Sequence, residues 1–204
     1  MPDVRQRVLT ALRDIIAERG LDQVTVREVA AAAGVSIGAV QYHCPTKDDM
    51  LRLALQDMNE RIRERVARVE GTGAVRSVLR GALLEFLPLD EQRSREARIY
   101  IAFAARAAVS PYLADIQHEA LAELRGLAEQ TFALAVDSGA AYREVDPTLA
   151  AHATVVLTDG LTLQLLTDPR GFPVNAAVAL IDAHLDRYFG SPAKDGGRAG
   201  CSAT

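Results

Sequence analysis

The stretch from Thr25 to Lys47, TVREVAAAAGVSIGAVQYHCPTK, constrains the fold more tightly than any other part of the chain. Thr25 and Glu28 form a capping-box pattern: the Thr25 hydroxyl accepts from the Glu28 amide and the Glu28 carboxylate reaches back. The helix they open runs through a set of alanines and stops at Gly34, where a left-handed turn is free of the Cβ penalty. Ser36 then caps a second short helix, about Ile37 to His43, which Pro45 prevents from continuing. Two short helices hinged on a glycine make a helix-turn-helix, with Val29, Ala33, Val35 and Val40 expected to hold them together.

Such a unit places its second helix in the major groove of DNA. Ile37 and Gln41, four residues apart, share an outward face with Gly38 near the helix start. Gln41 offers an amide donor and acceptor to adenine, and Ile37 an apolar surface to a thymine methyl. Tyr42, His43 and Lys47 are suited to phosphates, which fix register rather than sequence. Thr25 and Ser36 mark helix N-termini whose amides favour a phosphate nearby. The chain carries a net charge of −4, and residues 1–60 hold seven cations against nine carboxylates. Bulk positive charge is therefore excluded as the basis of DNA binding, which has to rest on placed contacts.

The remainder reads as helix. Of the 204 residues 49% are hydrophobic, only 5% are aromatic and none is tryptophan, which disfavours strands. Val8, Leu12, Ile15 and Ile16 make one apolar stripe on a leading helix, about Asp3 to Arg19. Thr46 opens a fourth helix with Asp48 and Asp49 in its first turn, as the helix dipole prefers, reaching about Glu70. Gly71-Thr72-Gly73 breaks the pattern, and five helices follow at about 74–87, 90–107, 111–138, 146–167 and 173–189. Two of them begin with a capping residue before proline, Ser110-Pro111 and Asp146-Pro147. The expectation is an all-α chain of about nine helices. A helix-turn-helix domain occupies residues 1–47, a ligand-binding and dimerisation domain 48–190, and a polar, glycine-rich tail 191–204 is expected to be disordered.

The last two long helices carry more apolar surface than one core needs. Leu149, Ala153, Val156, Gly160 and Leu163 on the first, with Ala177, Val178, Ile181, His184 and Leu185 on the second, form the expected dimer interface, a four-helix bundle with a second copy. The alternative is an ordinary internal helix pair.

The segment G-L-x-x-V-T-V-R-E-V-A-x-x-A-G-V-S-x-G-A-V-x-Y-H-x-x-T-K-x-x-M, from Gly20 to Met50, closely resembles the DNA-binding domain of the TetR family of transcriptional regulators. The layout of the whole chain is similar too, and VDPTLAAHATVVLTDGLTLQLLTDP resembles the penultimate helix of the BetI-like subgroup. The resemblance implies a homodimeric DNA-binding regulator, a repressor released from a palindromic operator when a small molecule enters the C-terminal domain. It implies backbone contacts for Thr25 and Arg27, base reading by Ile37, Gly38 and Gln41, and phosphate contacts for Tyr42, His43 and Lys47. Met58, Phe86, Tyr100, Phe103, Tyr112, Phe132 and Thr162 lie on the helices that enclose the effector in similar proteins, with Glu85 and Arg98 as polar candidates. Two positions depart from the family pattern. Gln41 stands where an aromatic or small hydroxyl residue is usual, which alters the operator read. Cys44 stands where phenylalanine is usual, which predicts a looser contact between the third and fourth helices.

Other chemistries find little in the sequence. Asp115 and His118 are half of a di-iron bundle motif whose second copy is missing, so no metal and no cofactor are expected. No nucleophile–base arrangement or glycine-rich phosphate loop suggests an enzyme. Cys44 reads as a small buried hydrophobe rather than a redox sensor, and Cys201 lies in the tail. No apolar run of about 18 residues is evident, and the charged opening MPDVRQRVLTALRDII is unlike a signal peptide. A cytoplasmic protein with no membrane partner is expected. The rival functions are a helical small-molecule binding protein whose helix-turn-helix is structural only, a helical metalloenzyme, and an activator of the same fold.

Overall fold

The computed structural model describes residues 3–69 and 74–189. Among these, every regular element is helical. The α-helices are α1 (Val4–Arg19), α2 (Val26–Ala33), α3 (Ile37–His43), α4 (Lys47–Val66), α5 (Val75–Phe86), α6 (Glu91–Ala107), α7 (Pro111–Asp137), α8 (Pro147–Thr167) and α9 (Val174–Asp186). A single 3-10 turn at Leu21–Gln23, which the sequence patterns do not signal, joins α1 to α2. The Gly71-Thr72-Gly73 break and the 191–204 tail lie outside the described residues.

Local chemistry sets the boundaries. Gly34 ends α2 at φ +62°, the left-handed conformation its position requires. The Asp146 carboxylate accepts from the Thr148 and Leu149 amides at 3.0 and 3.1 Å and starts α8. Two caps differ from expectation. Ser110 precedes Pro111 at the start of α7 but makes no side-chain capping bond, its hydroxyl donating to Asp48. The box at the start of α2 is not reciprocal. The Thr25 hydroxyl accepts from the Glu28 amide at 3.2 Å, but the Glu28 carboxylate accepts from the Arg19 guanidinium at 3.1 Å instead of reaching back. A charged donor within reach outcompetes a neutral backbone amide. The reciprocal box is on α4, where the Thr46 amide donates to Asp49 at 3.2 Å and the Asp49 amide to Thr46 at 3.1 Å.

Two apolar cores hold the chain together. The first joins Val8, Leu12, Val29 and Val40 of the head to Leu51 of α4, Ile99 and Phe103 of α6 and Leu113 of α7, all fully buried. The second gathers Leu87, Phe132 of α7, Ala150 of α8 and Ile181 and Leu185 of α9. The helix-turn-helix thus shares a continuous core with α4 and α6, and does not hang from a linker. Each such large side chain contributes about 1.5–3 kcal/mol by leaving water. Cys44 sits inside the first core with no exposed surface, its thiol donating to the Val40 carbonyl at 3.5 Å.

Helix α8 corrects the hydropathy expectation: it is long and apolar enough to cross a membrane by length and composition alone. Its residues serve the bundle instead. Ala150, Thr154, Leu161 and Leu165 are buried within the chain, and Asp159 at mid-helix accepts a hydrogen bond from α6.

Candidate functional site: a reading head and an effector cavity

Helix α3 presents an exposed outer face. Its buried Val40 points inward, leaving Ile37, Gly38, Gln41 and Tyr42 exposed. Tyr42 is 85% exposed, and its ring meets the edge of His43 with centroids 5.2 Å apart. An aromatic held out in water beside an exposed amide and an exposed isoleucine contributes nothing to the core. Thr25, Arg27 and Ser36 are exposed on the same head, while His43 and Lys47 are half-buried. The Ser36 hydroxyl accepts from the Ala39 amide at 3.1 Å, which fixes the start of α3.

The first turn of α4 follows directly and is gripped from the other side. Arg106 Nε donates to Asp48 Oδ1 at 3.0 Å, the Ser110 hydroxyl donates to Asp48 Oδ2 at 2.9 Å, and the Tyr112 hydroxyl donates to Asp49 at 3.3 Å. Hydrogen bonds, first from the Thr46 hydroxyl, hold the Asp49 carboxyl below the usual range. A second tie runs from Arg95 of α6 to Asp14, at 2.7 Å, and to Glu18 of α1.

Between α4, α5, α6, α7 and α8 lies a cavity of about 430 Å³, within the range of small-molecule sites. Of the residues anticipated there, Met58, Phe86, Tyr100 and Thr162 are on its wall. Phe103, Phe132 and Tyr112 are not. Phe103 is fully buried in the first core, because its side of α6 packs on α1 and α4. Phe132 lies in the second core, stacked on Phe189 with centroids 5.9 Å apart. Tyr112 is 47% exposed and turned to Asp49. Glu85 lines the cavity with its carboxylate taken by Arg65 at 2.9 Å, whereas Arg98 is outside it beside Glu91.

Sequence reasoning missed several polar members of the wall. Asp159, Gln117, Thr158 and Asn59 all line the cavity. The Tyr100 hydroxyl donates to Asp159 Oδ1 at 2.9 Å, and Gln117 Nε2 donates to the Tyr100 oxygen at 3.4 Å. Burial pushes the Asp159 carboxyl above its usual value, partly offset by the Tyr100 hydrogen bond. Burial first, and the Asp159 charge second, push the Tyr100 phenol up. The available signal was a lone acid inside the apolar run ATVVLTDGLTLQLL.

The expected pairing face divides. Leu149, Val156, Gly160 and Leu163 are exposed along α8, and Ala153 and Val178 are half-buried. Ala177, Ile181, His184 and Leu185 are buried within the chain, which corrects their assignment to an outer face. They are the side of α9 that packs on its own bundle, while Val174 and Leu180, 46% and 44% exposed, point away. His184 Nε2 lies 2.8 Å from the Thr154 hydroxyl, which itself donates to the Ala150 carbonyl at 2.7 Å. The imidazole therefore donates from Nε2, and burial lowers its pKa.

A recognition helix fused through one apolar core to a helical, cavity-bearing body defines a DNA-binding transcriptional regulator. The chain belongs to the TetR family: residues 8–54 match the model of bacterial regulatory proteins of the tetR family, and residues 75–190 that of the BetI-type transcriptional repressor C-terminal domain. It is 37% identical to a transcriptional regulator of known structure from Rhodococcus sp. Rha1, covering 90% of this chain and 94% of that one at a TM-score of 0.79. It is 29% identical to the transcriptional regulator PksA of Bacillus subtilis over 81% of this chain and 80% of the relative. It is 26% identical to the nicotine-responsive repressor HdnoR of Paenarthrobacter nicotinovorans over 91% of this chain and 95% of the relative.

Proposed function

We propose that the protein is a homodimeric repressor that binds a near-palindromic operator and leaves it when a small molecule occupies the cavity. The observation that carries this reading is the double duty of α4. Its Met58 and Ile62 line the cavity, and its first turn, at Asp48 and Asp49, follows the reading helix after a three-residue connection. A ligand that pushes on α4 moves the two reading heads relative to one another, and the affinity difference between the two states sets how far the operator is released.

In this reading residues 1–47 form the head and 48–190 the effector and pairing unit. Two copies are joined through the exposed face of α8 and the outer side of α9. Leu149, Val156 and Leu163 recur every seven residues there, which suits a helix-pair seam. Gln41 and Ile37 read bases, and Tyr42, His43, Lys47, Thr25 and Arg27 touch the backbone. Response to a small molecule is the behaviour named for the HdnoR relative, which supports the same role here. The protein then acts in the cytoplasm, where its operator lies.

The test is a gel-shift series on DNA flanking the protein's own gene, with the dimer measured by light scattering. Sequence-dependent, salt-sensitive binding to an inverted repeat by a dimer is the expected result. Absence of such binding to any inverted repeat there overturns the reading.

A further inference from the structure

The cavity wall carries four carboxylates, and three of them are answered. Glu85 pairs with Arg65 and Arg93, Glu96 with Arg65, and Glu123 with Arg63. Asp159 faces no cation among the described residues, although it lines the same cavity and is half-buried. Its Oδ1 accepts from the Tyr100 hydroxyl at 2.9 Å, and its Oδ2 accepts no hydrogen bond from the described residues.

A carboxylate in such surroundings wants a counter-charge or a proton, because desolvation penalises the bare anion. A metal ion is a poor answer: among the described residues no group of three or more His, Cys, Asp or Glu converges. Much of the wall around it is apolar, with Leu55, Met58, Ile62, Phe86, Leu121 and Leu124 contributing. That wall suits a hydrocarbon or aromatic body rather than a hydrated ion.

We infer that the effector is an organic cation, a protonated amine on an apolar body, whose ammonium donates to Asp159 while the body lies against α4 and α7. Tyr100 positions the carboxylate: its hydroxyl holds Oδ1 in place and leaves Oδ2 for the ligand. Gln117, donating to the Tyr100 oxygen at 3.4 Å, holds the phenol in turn. The ligand completes the charge balance that the protein leaves open. Burial raises the Asp159 carboxyl above its usual value, and an ammonium placed against it would offset that desolvation penalty.

This inference rests on the effector-responsive reading given above, and three probes of matched size test it. Phenylbutylamine, phenylbutanol and phenylbutyrate share one body and differ in head-group charge. Calorimetric titration of the full chain at neutral pH is expected to give the amine an affinity about tenfold or more above the alcohol, with the acid weakest. In Asp159→Asn the amine and alcohol are expected to become equal, while the variant keeps its thermal transition because the amide oxygen still accepts from Tyr100. An alcohol that binds as well as the amine overturns the inference in the wild-type protein alone, whatever the variant does. So does an amine preference retained in Asp159→Asn, or binding by none of the three. A gel shift on the unliganded protein separates the two readings. DNA binding without amine preference defeats only this inference; amine preference without DNA binding defeats the regulatory reading and leaves Asp159 as a cation site.

Discussion

Arg106 Nε donates to Asp48 Oδ1 at 3.0 Å and so joins the last turn of α6 to the first turn of α4 across 58 positions of sequence. The same carboxylate accepts from the Ser110 hydroxyl at 2.9 Å. Asp48 already suits its place near a helix N-terminus, where the dipole favours an anion. The two donors connect the end of α6 and the start of α7 to the first turn of α4.

Arg106→Ala is expected to cost little stability, under about 1 kcal/mol, because the arginine is nearly half exposed and the pair is screened by water. The melting temperature should barely change and unliganded operator affinity should stay near wild type. Effector-driven release should require more effector. A fluorescence-anisotropy titration of operator release reads this directly, and an unchanged release midpoint would show that Arg106 is not part of the coupling.

On the reading face, Gln41→Ala should weaken the preferred operator by about 1–3 kcal/mol and relax the preference at one base position in each half-site. Lys47→Ala should instead weaken all sequences alike and reduce the salt slope by about one. Binding measured across single-base operator variants at several salt concentrations distinguishes the two.

Cys44 is expected to resist alkylation in the folded protein. Burial, with a smaller contribution from the Asp49 charge, pushes its thiol up to about 11, so almost no thiolate exists at neutral pH. In a Cys201→Ser background, iodoacetamide should leave the native protein unmodified and label one site after denaturation. Stoichiometric labelling of the native state would contradict the buried, inert placement.

His184 makes stability depend on pH. Its folded pKa lies below the ordinary 6.5, so the unfolded chain takes up the proton first as the pH falls. The neutral, hydrogen-bonded form is fully effective above about pH 6.5, and its contribution is lost progressively below that value. Asp159, with its carboxyl raised, acts in the opposite sense, favouring the fold as the pH drops toward the ordinary carboxylate range. Comparing melting temperatures at pH 7.5 and 5.5 in wild type and His184→Gln isolates the histidine, since Asp159 is common to both. The acid-side drop should be smaller in the variant.

Phe103 anchors the shared core, not the cavity, and Phe103→Ala is expected to cost about 3–5 kcal/mol. Head and body should lose stability together in a single thermal transition, because both pack on it. An unaltered melting temperature would remove Phe103 from that role.

Much of this was readable in local chemistry. Thr25, Gly34, Ser36 and Pro45 mark α2 and α3 because capping, left-handed backbone and a missing amide are properties of single residues and their immediate neighbours. Pro111 and Pro147 mark α7 and α8 for the same reason. The exposed face of α3 followed too, since Ile37 and Gln41, four residues apart, share one side of a helix and both are exposed.

What the sequence could not determine was which way the long helices turn. Apolar residues such as Phe103, Phe132 and Ile181 look alike whether they meet a cavity, a core or a second chain, and one apolar stripe serves all three. Only the packing of α6 against α1, and of α9 against its own bundle, made them core. Glu28 found Arg19, an ion pair nine residues apart that capping rules do not contain. Tyr100 met Asp159 across 59 residues, and Arg106 met Asp48 across 58. Propensity and capping act within a turn or two of chain, so the sequence by itself determined the helices and the reading head. Burial and charge pairing depend on distance in space, so tertiary structure alone decided where the cavity lies, which carboxylate is left unanswered in it, and how that cavity is tied to the head.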